Sequence, residues 1–355
     1  MSSSNIPSRN LPMPYVRLGR SGLKVSRLIL GCMSYGTPGW QQWTMGEDEA
    51  IAHIKAAYDL GINTFDTANC YSNGMSEIIL GKAIQTLSLP RDEIVIMTKV
   101  GLPVDKTMDG DAIAIATTSK KELERRGYAN QFGLSRKHIF ESIKRSLERL
   151  QLDYVDVLQC HRFDPETPIE ETMQALDDVV KAGYARYIGM SSCYAWQFHK
   201  MQNYARARGL TEFISMQNLY NACYREEERE MIPVLQDLGV GMIPWSVFSK
   251  GFLCRPVNQS SPRSENDKFY ARYNPDDSQN TINERIALIA EKRQVSMAQV
   301  TLAWALSKPF MTAPVIGTTS VQKLVDLCAG VHLQLTDDEI SSIDEPYRPR
   351  NIMGH

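Results

Sequence analysis

The stretch Ile62-Asn63-Thr64-Phe65-Asp66-Thr67-Ala68-Asn69-Cys70-Tyr71 reads as a short buried strand ending in a carboxylate, with a phenol five residues further on. Two later segments have the same form. Glu93-Ile94-Val95-Ile96-Met97-Thr98-Lys99 is an apolar run ending in an ammonium, and Tyr154-Val155-Asp156-Val157-Leu158-Gln159-Cys160-His161 ends in an imidazole. Asp66, Lys99 and His161 therefore stand at the C-terminal ends of three predicted strands, with Tyr71 in the loop after the first. In a parallel barrel that edge is where catalytic groups sit.

The flanking segments keep one rhythm of strand and helix. Tyr15 to Leu18 and Leu23 to Leu28, separated by Gly19-Arg20-Ser21-Gly22, form a predicted hairpin whose second arm leads into a strand at Leu28 to Gly31. Helices are expected over Glu47 to Leu60, closed by Gly61, and over Met75 to Leu87. Ser135 caps a helix with Ile139, Ile143, Leu147 and Leu150 on one stripe. Strands at Tyr184 to Met190, Phe213 to Gln217 and Val240 to Pro244 alternate with helices near Glu170 to Lys181, Trp196 to Arg208 and Arg225 to Leu238. Ser296-x-x-Gln299 reads as a capping box, and Thr312 to Ile316 and Val321 to Ala329 as the last strand and helix. Strand then helix recurs eight times. The expectation is an α/β protein, a (β/α)8 TIM barrel with an N-terminal β-hairpin, forming one domain over 1–355 with a frayed tail at 1–13. Gly101 to Gly133 and Phe252 to Gln279 break the rhythm and read as long βα-loop insertions, irregular and, for the second, mobile.

A formal net charge of −2 and a pI near 6.3 argue against nucleic acid or an anionic membrane as the main partner. No apolar run has membrane-spanning length. The seven cysteines are scattered, without Cys-x-x-Cys, which fits free thiols and a cytoplasmic location. His53, His138, His161, His199, His332 and His355 are isolated, so no metal site is expected.

A free phenol has a pKa of about 10 and is a sluggish acid at neutral pH unless tuned. Lys99 would stabilise the phenolate of Tyr71, Asp66 would hold Lys99, and His161 would orient a substrate oxygen. None of these donates a hydride, so the reducing equivalent must come from a bound cofactor. Taken singly, Asp66 is a common loop-capping residue, Lys99 a solvated lysine and His161 a satisfied core histidine. Together, at three strand ends, they read as a catalytic constellation. Cys70 and Cys160 are read as packing, and Lys120 to Arg126 as a solvated helix face.

Phe65-Asp66-Thr67-Ala68-x-x-Tyr71, Thr98-Lys99, Gln159-Cys160-His161, Gly189-Met190-Ser191-Ser192 and Met216-Gln217-Asn218 resemble the aldo-keto reductase family, in the family's order and over nearly the whole chain. Pro14 to Gly19 and Gly133 to Phe140 are similar to the fungal aryl-alcohol dehydrogenase and versiconal hemiacetal acetate reductase branch. The resemblance implies Asp66, Tyr71, Lys99 and His161 as a catalytic tetrad, with Tyr71 the proton donor and Tyr71 and His161 on the substrate. It implies NADPH/NADP+ lying across the barrel mouth, with Ser191, Ser192 and Gln217 on the carboxamide and Trp245 stacked on the nicotinamide. Ser246 to Arg255, including Phe248 and Lys250, would wrap the pyrophosphate. Gly317, Thr319, Lys323 and Asp326, with Arg255, would meet the adenosine phosphate. Departures from the common pattern are Ser192 for Asn, Trp245 for Tyr, Val247-Phe248 for Pro-Leu, Lys323 for Arg and Leu327 for Asn.

The implied activity is NADPH-dependent reduction of a small carbonyl substrate. An alternative is an NADPH-binding sensor module of the channel β-subunit type. A short-chain dehydrogenase is excluded, because no tyrosine has a lysine four residues on and Gly-x-Gly-x-x-Gly is absent. Tyr35, Trp40, Tyr128, Phe132, Phe269 and Tyr270 are expected to line the mouth, which favours aromatic or apolar aldehydes and ketones.

Overall fold

Apolar runs form short strands, and apolar stripes at helical spacing form the helices around them. The computed structural model describes residues 12–107, 110–267 and 276–355. A hairpin comes first, β1 (Tyr15–Arg17) pairing antiparallel with β2 (Lys24–Ser26). Then follow β3 (Ile29–Gly31), α1 (Glu47–Asp59), β4 (Thr64–Asp66), α2 (Met75–Thr86) and β5 (Val95–Val100). Two short helices, α3 (Ala112–Thr117) and α4 (Lys120–Arg125), precede α5 (Arg136–Leu150), β6 (Val155–Cys160) and α6 (Ile169–Lys181). Next come β7 (Ala185–Ser191), α7 (Ala195–Arg208), β8 (Phe213–Gln217), α8 (Met231–Leu238) and β9 (Gly241–Met242). The chain ends with α9 (Pro262–Asn266), α10 (Asp277–Arg293), α11 (Met297–Leu306), β10 (Val315–Ile316), α12 (Val321–Gly330) and α13 (Asp337–Asp344).

Strands β3 to β9 pair in parallel, each with the next, and β10 pairs with β3 in an eight-stranded sheet. Backbone bonds draw its two edges together: Thr312 N–H donates to the Met242 carbonyl at 3.0 Å and Val315 N–H to Pro244 at 2.9 Å. This is the expected (β/α)8 architecture. Covered on both faces, β5 and β6 are buried along their whole length, polar Asp156, Gln159, Thr98 and Lys99 included. The hairpin plugs the N-terminal end, where Leu18 and Val25 pack against Ile29, Val95, Val157 and Ile243. Gly19 (φ +60) permits this approach, since a Cβ there would lie 2.6 Å from the Gly239 oxygen and the Gly241 nitrogen.

Several expectations need correction. The 101–133 insertion is not irregular: Asp111 and Ser119 cap α3 and α4, and Ile115, Leu123 and Tyr128 form a small core against which Phe132 packs. Tyr128 is buried inside that core, and Phe132 packs on its edge. Tyr35 is also spent elsewhere, fully buried with its hydroxyl 2.8 Å from His53 Nδ1. Within 252–279, α9 and the start of α10 are helical, while Phe269 and Tyr270 lie outside the described residues. Helix α10 escaped the periodicity reading although Ile282, Ile286, Ile289 and Ala290 lie on one buried stripe, and α13 buries only Ile343, too little apolar surface to show a face. Glu226–Glu228 forms a 3₁₀ turn, so α8 begins only at Met231. Met13 is buried in the core, so the anchored chain starts inside the stretch expected to fray. Ser296 caps α11, but the Gln299 amide turns to Asp326 on α12 and leaves the capping box half made. Among the described residues no helix is long and apolar enough to cross a membrane.

Candidate active site

Parallel register brings the strand ends to one level, with Asp66 opposite Met97, Lys99 opposite Gln159 and Ser191 opposite Gln217. Asp66 is the hub. Its Oδ2 pairs with Lys99 Nζ at 2.5 Å, and its Oδ1 accepts from Gln159 Nε2 at 2.8 Å and Gln217 Nε2 at 2.9 Å. Lys99 also donates to the Thr67 carbonyl at 2.9 Å and to Tyr71 Oη at 3.3 Å. Asp66 and Lys99 are 2% and 1% exposed, so neither charge has water to fall back on. Burial pulls the ammonium down, but Asp66 and Tyr71 outweigh it and Lys99 lies above the ordinary lysine value. For Tyr71 burial is again the largest influence and raises the phenol; Lys99 lowers it but does not prevail. The net direction is opposite to the tuning expected from Lys99 alone, and the phenol keeps its proton at neutral pH.

A left-handed turn sets Tyr71 in place. Ser72, Asn73 and Gly74 follow it with φ of 50°, 53° and 89°. Such a run persists only where neighbours hold it. Ser72 Oγ accepts from Thr37 N–H at 2.9 Å, and Gly36 passes so close that a Cβ would lie 2.1 Å from that oxygen. Asn73 Nδ2 donates to the Gly110 carbonyl at 2.8 Å, while its Oδ1 accepts from Asp105 N–H at 3.2 Å.

His161 extends the β5–β6 ladder by donating its backbone N–H to Val100 at 2.8 Å. Its ring meets Tyr71 edge to face, with centroids 5.8 Å apart, and its Nδ1 lies 3.7 Å from Cys70 Sγ. Burial first, then Arg162 and Lys99, hold the imidazole well below its ordinary value, so it is neutral. Arg162 donates to the His161 carbonyl at 2.5 Å and reaches over the Trp245 ring at 5.9 Å. Trp40 stands 6.3 Å from the Tyr71 ring.

The residues assigned to the nicotinamide end form one patch. Ser191 Oγ donates to the Gln217 carbonyl at 2.8 Å, and Trp245 Nε1 to Ser192 Oγ at 3.1 Å. The Gln217 amide itself is turned to Asp66 and Gln159. Ser246 Oγ accepts from Lys250 N–H at 3.2 Å, Phe248 is buried, and Lys250 Nζ pairs with Asp267 at 3.1 Å. Arg255 edges a concavity of about 280 Å³ lined also by Phe252, Asn258, Ser260 and Ser264. Gly317, Thr319 and Lys323 are exposed around the start of α12. The Asp326 carboxylate is engaged by Ser296 Oγ at 2.6 Å and the Gln299 amide at 2.9 Å. Arg255, Lys323 and Asp326 all act electrostatically on the Cys254 thiol, which puts them in one corner.

Gln159 had no assigned role; it lies two residues beyond Val157, which packs in the barrel interior, and its amide meets Asp66. Sequence reasoning also missed the C-terminal segment. A Cβ on Gly354 would lie 3.3 Å from Trp245 and 3.7 Å from Ser192 Oγ, while the His355 ring lies edge to face on Tyr194 at 4.8 Å. Nothing in its composition points to the mouth.

The aldo/keto reductase family model matches residues 27–348. The chain is 46% identical to versiconal hemiacetal acetate reductase of Aspergillus parasiticus, over 96% of this chain and 98% of that one. It is 46% identical to a provisionally named aryl-alcohol dehydrogenase of Schizosaccharomyces pombe (97% and 98% covered), and 46% identical to an aldo-keto reductase of Alternaria alternata (96% and 93%). Identity at that level over nearly the full length of each pair leaves one conclusion: the chain belongs to the aldo/keto reductase family.

Proposed function

We propose that the protein reduces aldehydes or ketones to alcohols with NADPH, Tyr71 giving the proton. The observation that carries this reading is the buried chain Asp66–Lys99–Tyr71, with a neutral His161 edge-on to the phenol. When bound, NADPH supplies the hydride that no side chain can give. The donors present fit it: a patch of two serines and an indole, then Lys250 and Arg255, then Lys323 beside the start of α12, where free backbone N–H groups favour phosphate. Ser191, Ser192, Gln217 and Trp245 would hold the nicotinamide end. Ser246, Phe248 and Lys250 would border the pyrophosphate, and Arg255, Gly317, Thr319, Lys323 and Asp326 the adenosine phosphate.

Tyr71 and His161 would grip the carbonyl oxygen from two sides. As that oxygen gains charge, the phenol proton moves to it, and the phenolate is left beside the Lys99 ammonium in a site shielded from water, where the attraction is strong. Asp66, tied by two amides, keeps Lys99 from following the charge. The Trp40 ring beside Tyr71, and Tyr71 edge to face with His161, favour aromatic or apolar substrates over sugar phosphates. The names of the Aspergillus and Schizosaccharomyces relatives point the same way. Steady-state NADPH oxidation with benzaldehydes, medium-chain aldehydes and charged sugar aldehydes tests the reading. A higher kcat/KM for a sugar aldehyde than for benzaldehyde refutes the substrate class, and tight NADPH binding without turnover on any carbonyl favours a sensor module.

A further inference from the structure

We infer that Cys70 sets the tautomer of His161: its thiol donates to Nδ1, leaving the ring proton on Nε2, the nitrogen available to a substrate oxygen. A neutral imidazole carries one N–H, and the partner on one nitrogen decides which nitrogen bears it. The polar atom on Nδ1 is Cys70 Sγ, at 3.7 Å. Cys70 is 2% exposed and burial pushes its thiol up to about 12, so it stays an S–H. An imidazole nitrogen is a much better acceptor than a thiol sulfur, which favours S–H donating to nitrogen over the reverse. The reverse would also turn a bare Nε2 lone pair toward the oxygen it should grip.

The backbone makes the arrangement economical. Cys70 directly precedes Tyr71 in one turn, closed by Tyr71 N–H to Ala68 and Asn73 N–H to Cys70, both carbonyls at 3.2 Å. A single turn thus places the phenol and orders the imidazole beside it. If Cys70 were only filler, its loss would lower stability and leave the imidazole unchanged. The consequence for catalysis rests on the carbonyl-reductase reading; the tautomer itself does not.

Long-range ¹H–¹⁵N correlation on ¹⁵N-histidine-labelled full-length protein, with and without NADP+, reads the tautomer, and His161→Gln assigns the signal. The wild type should carry its proton on Nε2. Cys70→Ala should show a mixed tautomer, unchanged NADPH affinity and kcat reduced about three- to tenfold, the scale of one neutral hydrogen bond. Cys70→Ser retains a donor and should keep the wild-type tautomer and most of kcat. A wild-type proton on Nδ1 overturns the inference even if the variants do not fold, and so does a Cys70→Ala protein with unaltered tautomer and kcat. Because the spectrum needs no substrate, failure of the reductase reading would show separately, as absent turnover with the Nε2 tautomer intact.

Discussion

In the proposed reaction Tyr71 gives up a proton that its surroundings hold firmly, and the 3.3 Å contact with Lys99 bears on whether it can. Burial raises the phenol, and the ammonium of Lys99 is what makes the anion tolerable. Tyr71→Phe should therefore cut kcat/KM for an aldehyde at least ~10²-fold, the usual scale for a lost general acid. NADPH affinity, measured by fluorescence titration, should stay within about twofold, because the phenol holds no cofactor in this reading. A parallel loss of binding would make the role structural. The adenosine corner is tested at the same scale. Arg255 and Lys323 both draw the Cys254 thiol down, so two cations share that space. A charge-assisted contact of ~1.5–3 kcal/mol gives roughly ten- to hundredfold preference for NADPH over NADH. Lys323→Ala should remove much of it; equal Kd values for the two cofactors in the wild type would count against the assignment.

At the level of elements, the 101–133 insertion is tied to the catalytic turn through Asn73, whose amide bonds Gly110 on one side and Asp105 on the other. Asn73→Gly keeps the left-handed backbone available and removes only the amide. The variant should lose several-fold in kcat and be cut faster by trypsin within 110–133, while Tm falls little. Unchanged kcat would mean that the turn holds itself. Neither the clamp nor the order of the insertion was legible in the chain. Periodicity reveals faces, and so Asp66, Lys99 and His161 at strand ends could be placed, as could the caps at Ser135 and Ser296. Side-chain amides that satisfy backbone groups far along the sequence leave no periodic trace. Tyr128 and Phe132 show the same limit: their aromatic character was read correctly and their destination was not, since a local core of Ile115 and Leu123 claimed them.

Among the described residues, buried charged groups are held by ion pairs or hydrogen bonds, and the buried histidines show the consequence of keeping charge out of the interior. His53, His138 and His161 are all buried, and burial is the largest cause lowering each, His138 to about 4. In the unfolded chain each imidazole titrates near the ordinary 6.5. As pH falls below that value, the unfolded chain binds protons that the folded protein does not, so unfolding gains. Stability is complete above about pH 6.5 and declines down to about 4, where His138 charges in place. For His138 alone the loss at pH 5 reaches about 2 kcal/mol, since one unit of separation is worth about 1.4. Carboxylates such as Glu339, held at about 2 by Arg293, add their share only below the ordinary 4.5, which leaves the upper part of the window to the histidines. Thermal melts at half-unit steps from pH 7.5 to 5 should show Tm falling with acid, more gently in His138→Asn than in the wild type. Parallel profiles for the two proteins would mean that His138 does not take part, and a flat wild-type profile would mean that none of the three imidazoles is held neutral by the fold.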